Sequence, residues 1–206
     1  MNNEGNHTVK NMPVEFEKVS DLMDQDTYKW HHDTHYAGYV NKRNEVEKEL
    51  QRVDLTKANA NYSTYRSLKA EETWNACGSI LHEAYWGTMG GNGQADENLE
   101  VVKKIKEDFG SLEAWRNDFI ACGKSAKGWV VLSLDLLTDK KLRNFLYDVH
   151  NLGGAVGSMP ILVMDTFEHA SYHKYGPDRA SHISAFMSRI DWRKLNDAYM
   201  MYKPLL

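Results

Sequence analysis

Two long stretches of helical periodicity, separated by one short polar connection, dominate the first ninety residues. From about Val19 to Val53 the pattern is charged and helical, with Leu22, Met23, Tyr28, Tyr39, Val46 and Leu50 as candidate buried positions. Asn59 to Ser63 is polar. Tyr65 to Met89 then repeats the helical pattern through Leu68, Trp74, Ile80, Leu81, Tyr85 and Trp86. A helix with an apolar stripe needs that stripe covered. Two of them on a short link predict an antiparallel hairpin. The run Gly87-Thr-Met-Gly-Gly-Asn-Gly93 ends the second helix. No strand precedes it and no Lys-Ser or Lys-Thr follows, so it reads as a flexible linker and not as a phosphate cradle. Residues 1–15, punctuated by Pro13, read as a loosely attached tail.

Beyond the glycines the texture changes. Two amphipathic helices are predicted at about Glu97–Phe109 and Leu112–Cys122, the second capped by Ser111 with Glu113 in its first turn. Gly128–Leu137, Leu142–Val149 and Pro160–Asp165 are short, apolar and strand-like, with Thr138 to Lys141 as a turn between the first two. Helices are predicted again at Ala180–Arg189 and Trp192–Met201.

Composition closes off several functions. The 206 residues carry 25 basic and 29 acidic side chains, a formal charge of −4, so the footprint of a nucleic-acid binder is missing. The longest stretch without a charge or strongly polar side chain, Leu152 to Met164, is far short of the ~20 apolar residues of a membrane helix. The first twelve residues are polar and lack the apolar core of a secretory signal, so a cytoplasmic protein is expected. Two cysteines, Cys77 and Cys122, cannot build a disulfide framework, and Cys77 reads as a small buried residue.

Nine histidines are the chemical resource that stands out. His31, His35 and Tyr39 recur at i, i+4 and i+8, along one face of the first helix. Each taken alone is better read as a hydrogen-bonded structural group, and His32 should be solvated. His82 sits among apolar and aromatic neighbours on the second helix and faces His31 if the hairpin is antiparallel. In Asp165-Thr-Phe-Glu-His169 an apolar strand ends in an acid, and an adjacent turn brings a histidine four residues later. A charged surface turn accounts for that segment equally well. Together His31, His82, Asp165 and His169 offer three nitrogens and a carboxylate, a set suited to Fe, Mn or Zn.

The arrangement resembles the iron/manganese superoxide dismutase family from about Asp26 to Trp192. The matching segments are His31-His-Asp-Thr-His35-Tyr-Ala-Gly-Tyr39-Val-Asn, His82-Glu-Ala-Tyr-Trp86 and Asp165-Thr-Phe-Glu-His169-Ala-Ser-Tyr172. Asp108-Phe-Gly-Ser-Leu-Glu-Ala-Trp115 and Gly128-Trp129 fit its order and spacing. The fold this implies is α+β. A helical-hairpin domain (1–90) is followed by an α/β domain (91–206) with a three-stranded antiparallel sheet.

The resemblance also implies conversion of superoxide to dioxygen and hydrogen peroxide at one Fe or Mn ion per chain, including a cambialistic enzyme that uses both. The ligands it implies are His31, His82, Asp165 and His169, with solvent in a fifth position. Tyr39 matches the tyrosine that guards the substrate funnel and His35 the histidine beside it, a pair that would relay a proton from solvent, and Trp129 matches an aromatic wall. Arg179 matches a substrate-steering cation near the mouth. His150 matches the sheet-side residue aimed at the metal-bound solvent. In the implied homodimer, or a tetramer built from it, Glu168 reaches the partner's ligand histidine and Tyr172 reaches the partner's His35.

Gly78 stands where many members carry glutamine, Phe167 replaces a common tryptophan and Ser171 a common tyrosine. Thr34 replaces a frequent lysine, and the proline-rich N-terminal motif is missing. These departures leave metal preference and oligomer size open. The rival readings are a non-haem iron oxygenase, which needs only two histidines and a carboxylate, and a metal-binding interaction protein without catalysis.

Overall fold

Asp24 accepts a hydrogen bond from Thr27 N–H at 2.9 Å and caps the first helix, α1 (Gln25–Trp30), in the computed structural model, which describes residues 7–205. The helix widens into a π turn at His31–Tyr36, where Ala37 N–H reaches back to His32 O. It narrows again as α2 (Ala37–Leu50). Leu22, Met23 and Val46 are buried as expected, whereas Tyr28, Tyr39 and Leu50 are half-buried.

Ser63 caps α3 (Thr64–Gly87) through Arg66 N–H. Contacts between the two helices run in opposite sequence order: His31 meets Tyr85 and Trp86, Tyr36 meets Glu83, and Tyr39 meets Gly78. The hairpin is therefore antiparallel. Ile80 departs from expectation at 48 % exposure, because the buried stripe of α3 passes through Asn75, Gly78, Ser79, Leu81, His82, Tyr85 and Trp86.

Two other segments are more tightly held than their composition suggested. Residues 7–15 are fastened to the hairpin and are not a loose tail. His7 N–H donates to Asn44 Oδ1 at 2.9 Å, Lys10 N–H donates to Tyr36 Oη at 3.1 Å, and Val14 is buried. Residues 1–6 of the expected tail lie outside the described residues. The glycine run is likewise no flexible linker. Gly90 and Gly91 N–H both bond Arg189 O, and Gly93 N–H bonds Ile190 O. A Cβ on Gly91 would stand 2.4 Å from Ile190 O, so glycine is there for close backbone approach.

The second half begins with α4 (Glu100–Phe109) and α5 (Leu112–Ser125), the latter capped by Ser111 through Ala114 N–H at 2.9 Å. Strands β1 (Trp129–Asp135), β2 (Leu142–Tyr147) and β3 (Ser158–Asp165) form an antiparallel sheet in the order β2-β1-β3. Every residue of the central strand is buried. Helix α6 (Glu168–Tyr175) follows the sheet directly, where the sequence predicts a turn. Then come α7 (Arg179–Ser188) and α8 (Trp192–Tyr202). One apolar core runs from Leu22, Leu81 and Trp86 to Leu132, Ile161 and Phe186, so hairpin and sheet pack as neighbours. Among the described residues no helix is long and apolar enough to cross a membrane.

Candidate metal centre

Four elements bring one side chain each to a single point. His31 opens the π turn, His82 sits near the C-terminal end of α3, Asp165 ends β3, and His169 lies in the first turn of α6. Their candidate donor atoms lie within 4.8 Å of one another. His31, His82 and Asp165 are buried and His169 is half-buried.

Hydrogen bonds fix how these groups present themselves. His82 Nδ1 lies 2.6 Å from the Gly78 carbonyl oxygen, which can only accept, so Nδ1 carries the hydrogen. Burial, followed by the charge on His31, pushes His82 well below its ordinary range, and the ring is neutral. Its Nε2 is therefore a bare lone pair. Among the described residues no group hydrogen-bonds that atom, and it faces Asp165 Oδ2 at 3.8 Å. A lone pair facing a carboxylate in a dry interior is costly unless a cation lies between them.

His31 Nε2 and His169 Nε2 approach the same oxygen at 3.0 and 3.2 Å, and Phe167 N–H holds the other carboxylate oxygen at 2.8 Å. Burial alone pushes the Asp165 carboxyl up. The charge and hydrogen bonds of His169 and His31 outweigh it and hold Asp165 well below the usual carboxylate range. Three nitrogens converge on one carboxylate, a donor set that fits iron or manganese.

Around the four stands an aromatic wall. Trp129 packs its ring 4.9 Å from His82 and donates Nε1–H to His150 Nδ1 at 3.0 Å. With Nδ1 accepting, the neutral His150 must carry its hydrogen on Nε2, which lies 2.7 Å from Tyr39 Oη. Tyr39 thus receives a hydrogen bond and keeps its own hydroxyl hydrogen for another partner. Tyr39 pairs with His150 in this way. His35 instead stacks on His169, ring centroids 4.1 Å apart.

His32 is not solvated: its ring sits between Lys10 O at 2.9 Å and Asp33 at 2.8 Å. Arg179 spans two carbonyls, Ala126 O and Thr166 O, next to Asp165 in the chain. Glu168 and Tyr172 are exposed on α6. Sequence reasoning missed Tyr85 and Trp86 as walls of His31, Trp74 as a wall of His150, and the Gly78 carbonyl that orients His82. Gly78 had registered only for its lack of a side chain.

Burial pushes His35, His150 and His182 each down to about 4. Below their ordinary value of 6.5 the unfolded chain takes up protons that the folded one refuses. Stability of the metal-free protein is therefore expected to be full above pH 6.5 and to fall as the pH drops from 6.5 to about 4. Urea titrations across that window should show a falling midpoint; a flat midpoint would contradict the burial of these neutral rings.

Comparison with known proteins decides the family. The alpha-hairpin domain of iron/manganese superoxide dismutases matches residues 6–90, and the C-terminal domain of the same enzymes matches residues 97–198. The chain belongs to the iron/manganese superoxide dismutase family. It is 42 % identical over 174 residues to the "Superoxide dismutase [Fe]" of Aquifex pyrophilus, covering 82 % of this chain and 80 % of that one. It is 34 % identical over 199 residues to the "Superoxide dismutase [Mn]" of Haloarcula marismortui, covering 97 % and 96 %.

Within this superoxide dismutase the departures from pattern have visible consequences. A Cβ on Gly78 would stand 2.8 Å from Tyr39 Cγ, so the space a glutamine stem needs is filled by the Tyr39 ring. His150 supplies a polar group from the other side. Phe167 stacks on His169 at 5.4 Å and packs 5.9 Å from Trp129, which keeps the wall closed without an indole nitrogen.

Proposed function

We propose that this chain is a superoxide dismutase holding one iron or manganese ion with His31, His82, Asp165 and His169. Two superoxide ions and two protons become one dioxygen and one hydrogen peroxide. The bare, buried Nε2 of His82, aimed at Asp165 beside two further imidazoles, carries this reading. An ion held by these four residues would supply the electron exchange between two superoxide ions.

The chain's own residues manage orientation, water and protons. Burial, then the Asp165 charge, pushes Tyr39 up to about 12, so the hydroxyl keeps its proton at neutral pH. The hydrogen bond received from His150 leaves that proton free to point at a reduced oxygen species. Trp129 locks the His150 tautomer, and Trp74, Phe167 and Trp129 keep the surroundings apolar. Arg179 adds a positive charge that favours an anionic substrate. A third histidine beside Asp165 disfavours the oxygenase reading, which requires open positions in its place.

Relatives named for iron and for manganese both match this chain over most of its length, so the donor set is read as compatible with either ion. The test is reconstitution of metal-free protein with Fe and with Mn separately, with metal content and superoxide consumption measured in each. Activity with one ion assigns the metal, and comparable activity with both identifies a cambialistic enzyme. Full occupancy without activity in either would sink the dismutase reading.

The working unit is a homodimer in this account. Glu168 and Tyr172 stand exposed on α6 close to the site, with Trp30, 47 % exposed, packed on the same helix through His173. A carboxylate supplied to a partner's ligand histidine would fix its tautomer and strengthen metal binding. Glu168→Ala is expected to weaken both association and metal retention, the latter by about 10–100-fold. Sedimentation showing an intact, fully metallated dimer would refute that role.

A further inference from the structure

Beside the four candidate ligands lies a group of buried polar atoms that no side chain or backbone group among the described residues satisfies. His182 of α7 is 0 % exposed, and neither of its ring nitrogens has a hydrogen-bond partner among the described residues. The same is true of the Tyr85 hydroxyl, the Thr166 hydroxyl and His31 Nδ1. These groups belong to one region. The Tyr85 ring lies 5.2 Å from His31 and stacks 6.0 Å from Phe186, one helical turn beyond His182 on α7. Tyr175 lies 5.5 Å from His182, and Arg179, three residues before it, reaches Thr166 O.

Leaving a buried donor or acceptor unpaired costs about 1–3 kcal/mol each. Proteins meet such clusters with internal water, which needs two to four polar partners. The partners here also have complementary roles. A neutral imidazole offers one donor and one acceptor, and burial, pushing His182 down to about 4, keeps it neutral. If His31 Nε2 faces an ion, its hydrogen must sit on Nδ1. A metal-binding histidine nearly always donates that hydrogen to an acceptor. Among the described residues no carbonyl or carboxylate accepts it.

We infer that His182 and Tyr85 hold an internal water that accepts the hydrogen on His31 Nδ1, which makes His182 a positioning residue for that histidine. The inference rests on the reading of His31 as a metal ligand. The water links α7 to the π turn, and the orientation of His31 is set from a helix that touches neither ion nor substrate.

The test uses the metal-loaded protein and three variants: His182→Phe, which keeps the bulk and removes the polar atoms, His182→Gln, which restores an acceptor, and Tyr85→Phe. Metal release to a chelator and the thermal midpoint are measured for each, alongside an atomic-resolution crystal structure of the wild type. The expected map shows a water within hydrogen-bonding distance of His31 Nδ1 and of His182 or Tyr85. His182→Phe is expected to release metal about tenfold faster, and His182→Gln to restore slow release.

A purely structural role would lower the thermal midpoint of both His182 variants without this pattern of rescue, and would overturn the inference. So would release unchanged in His182→Phe. If His182→Phe does not fold, Tyr85→Phe decides in its place: faster release supports the water, unchanged release removes it. An ion at His31 with no water beside His182 would overturn this inference alone, whereas no ion at His31 would overturn the ligand reading as well.

Discussion

Asp165→Ala should yield a folded protein that cannot retain its metal and does not consume superoxide. The carboxylate is fully buried at the end of β3, and three imidazole nitrogens converge on one of its oxygens at 3.0, 3.2 and 3.8 Å. Its removal leaves three neutral donors with no anion to offset an ion's charge. Changing a residue that merely supports a ligand costs about 10–100-fold in metal affinity, and losing the ligand itself should exceed that. The fold should survive. Removing one side of a buried ion pair is damaging when it strands a charge, but here the stranded groups are histidines that can shed a proton. Metal analysis after dialysis, with circular dichroism as the control, distinguishes the cases. A variant that keeps one ion per chain would show that the metal sits elsewhere.

Trp129→Ala is expected to cause the largest loss of stability. Trp129 is fully buried at the start of β1, directly opposite Asp165 in the sheet register. Its ring packs on His82 and its Nε1–H holds His150. Truncating a core tryptophan to alanine costs about 3–5 kcal/mol. For a chain of this length each kcal/mol lowers the melting temperature by about 2–4 °C, so a drop on the order of 10 °C is expected. Trp129→Phe retains most of the packing and loses one hydrogen bond, a cost of about 1 kcal/mol. That smaller change also frees the His150 tautomer, so activity should fall further than stability does. Calorimetry and superoxide assays on both variants check the split. Equal melting temperatures for the alanine variant and the wild type would contradict the packing account.

The hairpin and the sheet were legible because their signals are periodic. The stripe through Leu81, Tyr85 and Trp86 and the apolar runs of β1 and β3 reflect burial directly. The convergence of His31, His82, Asp165 and His169 was legible mainly through the resemblance, since each residue alone admitted an ordinary structural role.

What escaped was local geometry without a compositional mark. The π turn alters backbone spacing by one residue at His31–Tyr36, and no residue type announces it. Helix α6 has a single buried residue, Ala170, and no side-chain cap, so it shows no apolar stripe. Segment 7–15 is held by buried Val14 and by polar contacts of His7 and Lys10, which in sequence look like solvated residues. The glycines at 91 and 93 read in sequence as freedom but serve close packing against residues 187–191, and composition cannot distinguish the two.

The most direct test of the central claim is anomalous diffraction at the iron and manganese edges from crystals of the protein loaded with each ion. A single peak per chain should lie among the Nε2 atoms of His31, His82 and His169 and the Oδ2 atom of Asp165. A peak placed on other histidines, or none at this point in a protein that still consumes superoxide, would contradict it.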